Sequence, residues 1–468
     1  MCRLKVEPWT VLPRAAPSRV PHVNLSPAGV STTSPRWSNV AERLAQALKR
    51  LRRGDLAAAE HEVRAALRLA PDDAVAHNVL GLVLAERRDH AGAVDAFSAA
   101  IRLKVPFPEA LINLAMVCNR TGRHEFALRV CELALAASPG NALALVNQGM
   151  AWKGLRRLAE AKRAFELAGE HPMARFNLGH TLLLENNLER GLPLYEERRT
   201  VLHTGAGLRG RAWTGEARPG DTLLVAPEQG LGDFLLMSRF FATLADRFAR
   251  VIVHSPAPLA SLIATLDPRL EVVTTLERAR WDVWAPIMSL PLLLGVRRLE
   301  DVPTAPWLGA GLPDVPRERP RVGLNWAGNP AFAYDVVRST SLDTFAPLLA
   351  IGGVEWVSLH RGAREHEAEA HGLAQPLREA RDFLDTAAVL RGLDLVISTE
   401  TALPNLSAAM GVPTCVLSVK DVDWRWTGWY RGVTVCDQDT PGDWSGPLAK
   451  AAAVLARCGS GARVEPPA

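Results

Sequence analysis

Residues 80–97, LGLVLAERRDHAGAVDAF, decide the architecture of the first part of the chain. Two apolar stretches flank the charged break Glu86-Arg87-Arg88-Asp89, and the second carries Ala93 and Phe97 four residues apart. Two antiparallel helices need a small residue where they cross and a large apolar one to fill the adjoining gap, and Ala93 and Phe97 do those two jobs. The pair returns as Ala59/Val63, Ala127/Cys131 and Ala161/Phe165, each step being 34 residues. The preceding half follows in register, as Leu80-Gly81 with Leu84, Leu114-Ala115 with Cys118, and Gly149 with Trp152. Pro71 and Pro139 close two units, and a fifth, shortened unit shows as Leu178-Gly179, Leu182 and Gly191 with Tyr195. A fixed period of this length means stacked helical units sharing one continuous core.

Residues 39–200 therefore resemble tetratricopeptide (TPR) repeats, about five of them, an α solenoid. Such solenoids offer an extended groove for peptides or partner proteins, which implies protein-protein interaction rather than chemistry. Cys118 and Cys131 fall in facing slots of one repeat and read as packing thiols.

The chain has 468 residues, 48% hydrophobic and 22% charged, enough for two to four domains. Its net charge of +4 is matched by residues 1–40 alone, where Arg3, Lys5, Arg14, Arg19 and Arg36 face only Glu7. The neutral remainder lacks the clustered cations that nucleic acid requires. No apolar run is long enough to span a membrane, and Pro8, Pro13, Pro17 and Pro21 interrupt any secretory signal, so a soluble cytoplasmic protein is expected. Six scattered cysteines without a C-x-x-C pair argue against a disulfide framework or a zinc site. Residues 1–38, with six prolines and no periodicity, are expected to be a disordered tail, and residues 458–468 a C-terminal tail.

Residues 201–220 hold five glycines and read as a linker. Beyond them short β-rich runs alternate with helical patterns, the grammar of parallel sheets with crossover helices. The expected strands are 222–226, 251–255, 271–275 and 281–287 in one Rossmann-like half (221–302), with an apolar helix over 234–248. After a proline-rich linker (303–320), strands are expected at 322–327, 354–359, 394–399, 414–418 and 433–437 in a second half (321–457).

Three loops follow strands where ligands gather in such folds. In Glu228-Gln229-Gly230-Leu231-Gly232-Asp233 two glycines let the backbone approach a ligand, and Asp233 is either a cleft carboxylate or a helix cap. After Arg321–Pro330, which includes Asn325, come Arg338 and Ser339; Arg338 either clamps a phosphate or lies on the surface. In Thr399-Glu400-Thr401-Ala402-Leu403-Pro404-Asn405-Leu406, a carboxylate and a hydroxyl at a strand mouth suit ribose and diphosphate, or Thr401 merely caps the next helix. His360 and Arg361 follow another strand toward the same cleft. Asp421-x-Asp423 invites a metal reading, against which stands a loop running into Trp424-Arg425-Trp426. Trp424, Trp426 and Trp429 either stack on a ligand or pack.

Taken in order, E-Q-G-L-G-D, G-L-N-W-A-G-N-P, L-D-T-A-A-V-L-R-G-L-D-L-V-I-S-T-E-T-A and D-W-R-W look like bacterial TPR proteins carrying a glycosyltransferase domain, heptosyltransferase-like and more distantly similar to O-linked N-acetylglucosamine transferase. The resemblance covers residues 40–457. It implies a GT-B fold of two Rossmann-like halves, nucleotide-sugar binding on the second half, the acceptor, a protein or glycan, on the first, and inverting transfer with no metal and no other cofactor. Asp233 matches the family's general base, Arg338 its basic diphosphate residue, Glu400-Thr401 its D-T, and Asn405-Leu406 its H-L. Glu in place of Asp and Asn in place of His are departures, and Asn carries no positive charge. The alternative expectation is a catalytically degenerate TPR scaffold.

Overall fold

The computed structural model describes residues 35–459, apart from Ala206, Asp314, 316–318, Ala331, Ala333, Tyr334 and 420–422, and apart from the side chains of Pro35, Val336 and Cys458. The expected tails up to residue 34 and after 459, with Cys2 and Asp421, lie outside these residues. The chain divides into two compact units, Met1–Thr181 and Leu182–Ala468.

The first unit is a row of paired helices: α1 Pro35–Arg52, α2 Leu56–Leu69, α3 Ala74–Glu86, α4 His90–Leu103, α5 Pro108–Arg120, α6 His124–Ala137, α7 Ala142–Gly154, α8 Leu158–Leu167 and most of α9 Pro172–Leu184. Where helices pair, Gly54, Arg88, Gly122 and Arg156 take left-handed backbone at φ 78°, 64°, 72° and 59°, each one period from the next. Asp55 and Asp89 cap the second helices, and Asp73 and Asn141 the first ones. At the equivalent positions Arg123 and Arg157 supply no side-chain cap. Ala59, Val63, Ala93, Phe97, Ala127, Cys131, Ala161 and Phe165 are all at most 1% exposed.

The helix crossing is closer than the alternating small and large residues suggest. A Cβ on Gly81 would lie 2.5 Å from the Phe97 ring, and one on Gly149 would lie 2.4 Å from Phe165. Gly81→Ala should therefore lower solenoid stability by about 1–3 kcal/mol through overpacking, with partial recovery when Phe97→Leu is added. Urea unfolding of both variants checks it, and an unchanged midpoint for Gly81→Ala would contradict the crossing geometry.

His124 starts α6 with its ring 2.5 Å from where a Gly154 side chain would begin, its Nδ1 3.3 Å from Asn119 Oδ1. Burial pushes its pKa down to about 4. The unfolded chain takes a proton below about 6.5 while the fold resists until about 4, so stability is present above 6.5 and is lost as pH falls through that window. The loss is on the order of 1–3 kcal/mol. The stability difference between wild type and His124→Gln, followed from pH 7 to 4, should change by that amount; a constant difference would remove His124 as the cause.

The second unit begins earlier than the expected boundary at residue 200. Helices α10 Leu188–Tyr195 and α11 Arg198–Val201 group with it, because Tyr195 and a fully buried Arg198 are held by its loops. Nor is 201–220 only a linker, since it carries edge strand β1 Arg211–Ala212 and the start of β2 Arg218–Ala226. Helix α1 likewise begins at Pro35, inside the expected tail, with proline in the first position where its missing N–H costs nothing. At the other end a helix spans Ser445–Gly459 and crosses the expected boundary at 457.

Two five-stranded parallel sheets follow. The first runs β1-β5-β2-β3-β4, with β3 Phe248–His254, β4 Leu270–Val273 and β5 Val283–Pro286. The second runs β10-β9-β8-β6-β7, with β6 Arg321–Asn325, β7 Glu355–Ser358, β8 Leu395–Thr399, β9 Thr414–Ser418 and β10 Val433–Asp437. Strands β8 and β9 are buried throughout, which is why they read as unbroken apolar runs. The long apolar helix expected over 234–248 is replaced by α12 Leu231–Met237, a 3-10 turn at Ser238–Phe240, a short helix Phe241–Ala245, and β3. At the break Ser238 Oγ and Arg239 Nε donate to the Leu235 and Leu236 carbonyls, side-chain bonds that compete with regular helix.

Candidate functional site

Each sheet reverses its strand order once, and open parallel sheets bind ligands beyond the strand ends at such a point. In the first sheet the reversal lies between β2 and β5, and Met288 N, after β5, donates to Glu228 Oε1, after β2, at 3.0 Å. In the second it lies between β6 and β8, where Asn325 Nδ2 donates to Ser398 Oγ at 3.1 Å and to Thr401 Oγ1 at 3.3 Å. The two reversals meet. A Cβ on Gly232 would stand 2.7 Å from Asn405 Nδ2 and 3.6 Å from the Thr401 carbonyl oxygen, so glycine is what lets α12 close onto the helix Ala402–Ala409.

Asp233 is 7% exposed in the first turn of α12. One carboxylate oxygen accepts from Gly230 N at 2.8 Å, the local capping role, and the other is ion-paired with Arg425. Arg425 also donates through Nε to Asp423 Oδ1 at 2.7 Å and through Nη1 to Gln229 Oε1 at 3.5 Å. Gln229 sits at φ 63° and its Nε2 donates to the Tyr195 hydroxyl at 3.0 Å, while Arg198 pairs with Glu228 at 2.7 Å. The Gln229 turn is therefore held from outside both sheets.

On the opposite side Arg338 donates to the Glu400 carbonyl oxygen at 2.6 Å and pairs with Asp335 at 3.1 Å. Gly328 N donates to Ser339 Oγ at 2.9 Å. Thr401 caps the helix Ala402–Ala409 by accepting from Leu403 N. Asn405 donates to the Thr401 carbonyl oxygen at 3.0 Å and accepts from the Tyr430 hydroxyl at 2.9 Å. The Glu400 carboxyl bonds Ser418 and Trp426 and is pushed up to about 8, by burial first and the Asp423 charge second, against the opposing pull of Arg338. His360, 6% exposed, has Nδ1 3.3 Å from Asn325 Oδ1, and burial lowers its pKa.

Thus Asp233, Gln229, Gly230, Gly232, Asn325, Arg338, Ser339, His360, Glu400, Thr401, Asn405 and Asp423 converge on one junction. Arg361 bonds the Ala380 carbonyl instead. Trp424 packs edge-on against Tyr195 and Trp429, with ring centroids 5.9 and 5.0 Å apart, and Trp426 stacks on Tyr430 at 5.4 Å. These rings build the wall. Among the described residues no group of three or more His, Cys, Asp or Glu side chains is arranged to hold a metal ion. Arg425 is the central residue that sequence reasoning passed over; it stands between two tryptophans in a loop and carries no periodic signal.

The first unit has a polar row of its own. Asn113 Nδ2 donates to Asn78 Oδ1 at 3.0 Å and Asn147 Nδ2 to the Ile112 carbonyl at 3.1 Å, linking α3, α5 and α7.

The first unit is thus a helical TPR-like solenoid, and the second an α/β unit with two parallel sheets. The tetratricopeptide repeat family matches residues 44–104 and 93–142. Protein FlbA of Caulobacter vibrioides is 26% identical over 469 aligned residues, covering 89% of this chain and 72% of its own, so the similarity extends over both units. Among solved structures, MamA of Desulfovibrio magneticus RS-1 is 22% identical, covering 36% of this chain and 98% of its own with a TM-score of 0.30. A thermophilic TPR protein of Thermus thermophilus is 17% identical, with 36% and 93% coverage and a TM-score of 0.33. TPR repeats fit peptide or protein partners, and no helix among the described residues is long and apolar enough to cross a membrane.

Proposed function

We propose that the α/β unit is a GT-B glycosyltransferase domain that moves a sugar from a nucleotide-sugar donor to a protein or glycan acceptor, with the repeats recruiting that acceptor. The observation that carries this reading is the meeting of two strand-order reversals, where a carboxylate from one sheet and a set of donors from the other share a junction. In the reaction the acceptor hydroxyl oxygen bonds the anomeric carbon as the bond from that carbon to the donor phosphate oxygen breaks. The hydroxyl proton goes to Asp233, and the departing nucleotide phosphate keeps the electron pair. Arg338, Thr401 and the start of the helix Ala402–Ala409 stabilise the charge that develops there.

The test is a panel of nucleotide sugars against the full chain, read by melting temperature and by the mass of released nucleotide. One donor that raises the melting temperature and is turned over supports the proposal. A second reading, a scaffold without catalysis, is favoured by Asn405, whose carbonyl oxygen is engaged by Tyr430 and whose amide is engaged by Thr401. Partner capture with no hydrolysis or transfer from any donor would select it.

A further inference from the structure

A carboxylate is a weaker base while it is ion-paired, and in the free protein both oxygens of Asp233 are engaged. Gly230 N holds one oxygen and Arg425 the other. Arg425 is not bound to Asp233 alone. Its Nε and Nη2 face Asp423, while Nη1 serves Asp233 and the more distant Gln229 oxygen. Losing Asp233 thus leaves the guanidinium paired and in place. The Arg425 side chain is 13% exposed, at the junction where Gly232 meets Asn405. A phosphate oxygen has the hydrogen-bonding geometry of a carboxylate oxygen, and a diphosphate carries more charge, so it competes directly for the Nη1 edge.

We propose that Arg425 is an anion-operated latch: in the free protein it holds Asp233, and the phosphate of a bound donor takes its Nη1 edge and releases the carboxylate. This rests on the transferase reading and deepens it, because it sets an order. The donor binds first, and Asp233 becomes competent as a base only in the loaded cleft. Asp423 acts as the positioning residue that keeps Arg425 at the junction in both states.

Inorganic pyrophosphate, titrated calorimetrically into the full chain at low ionic strength, tests the latch without requiring catalysis. Asp233→Asn keeps an oxygen for Gly230 N but removes the competing charge, so pyrophosphate should bind about tenfold more tightly than to wild type. Arg425→Gln should weaken binding by at least as much; if that variant does not fold, the comparison of wild type with Asp233→Asn decides alone. Equal affinity in wild type and Asp233→Asn, weaker binding by Asp233→Asn, or no binding by either overturns the latch. The two proposals fail separately. Tighter binding by Asp233→Asn with no turnover of any nucleotide sugar leaves the anion site and removes the sugar chemistry. Turnover of a nucleotide sugar with equal pyrophosphate affinities leaves the transferase and removes the latch.

Discussion

Replacing Asp233 with alanine is expected to reduce sugar transfer by about 10²–10⁴-fold, the range over which a positioned general base acts, while a nucleotide sugar still raises the melting temperature of the variant. The separation follows from where the groups lie. Asp233 lies on the side of the first sheet, at the start of α12, whereas Arg338 ends a short helix after β6 and Thr401 caps the helix after β8 of the second. Removing the carboxylate takes away the proposed proton acceptor, leaves Arg338 and Thr401 in place, and frees the Nη1 edge of Arg425, so donor binding should be kept or tightened. The fold should survive, because Arg425 keeps Asp423. The lost partner of Gly230 N costs about 1 kcal/mol, small beside the stability of the unit. Normal turnover by Asp233→Ala would remove Asp233 from its role. Loss of both turnover and the melting shift would show that it shapes the donor site instead.

The repeats were legible because a 34-residue period survives the loss of individual residues. Val63 and Cys131 stand where Phe97 and Phe165 do, yet each is buried in the same slot. The left-handed turns follow the same period but were invisible, since Arg88 and Arg156 occupy two of the four places and arginine does not advertise positive φ. Strands β9 and β10 were found to the residue, each being a short β-rich run opened by a turn residue, Pro413 or Gly432. Helix α12 was overextended because its apolar pattern continues through Phe240 and Phe241 into β3. The break coincides with side-chain bonding of Ser238 and Arg239 to the preceding turn, which hydrophobic periodicity does not report. At the candidate site, the loops after the strands were expected by position to face one place, and the structure brings most of their candidate residues together. Arg425 was not, because its meaning lies in a partner nearly two hundred residues away, and no local pattern encodes such a pair.

Glu400 should make the α/β unit less stable as pH rises, the reverse of the usual carboxylate. Its pKa in the fold is about 8, against 4.5 for the free side chain. Below 4.5 both folded and unfolded chains hold the proton and the group contributes nothing. Between 4.5 and 8 the unfolded chain gives the proton up while the fold retains it, so stability falls by up to about 1.4 kcal/mol per pH unit. Above 8 the fold ionises too, and the slope ends. Glu400→Gln keeps the shape and a neutral partner for Ser418 and removes the titration. The variant should therefore gain on wild type with rising pH, by up to about 4 kcal/mol near pH 7.5. The gain is a ceiling, since Arg338 moderates the charge. Chemical unfolding of both proteins from pH 5 to 8 reads it directly, and parallel stability curves would show that Glu400 ionises normally. The proton has a consequence for donor binding. A neutral acid beside Asp423 adds no second negative charge where the proposed donor's diphosphate would sit. Donor affinity in wild type should thus weaken above pH 8 while that of Glu400→Gln holds, and an identical fall in both would assign the change to another group.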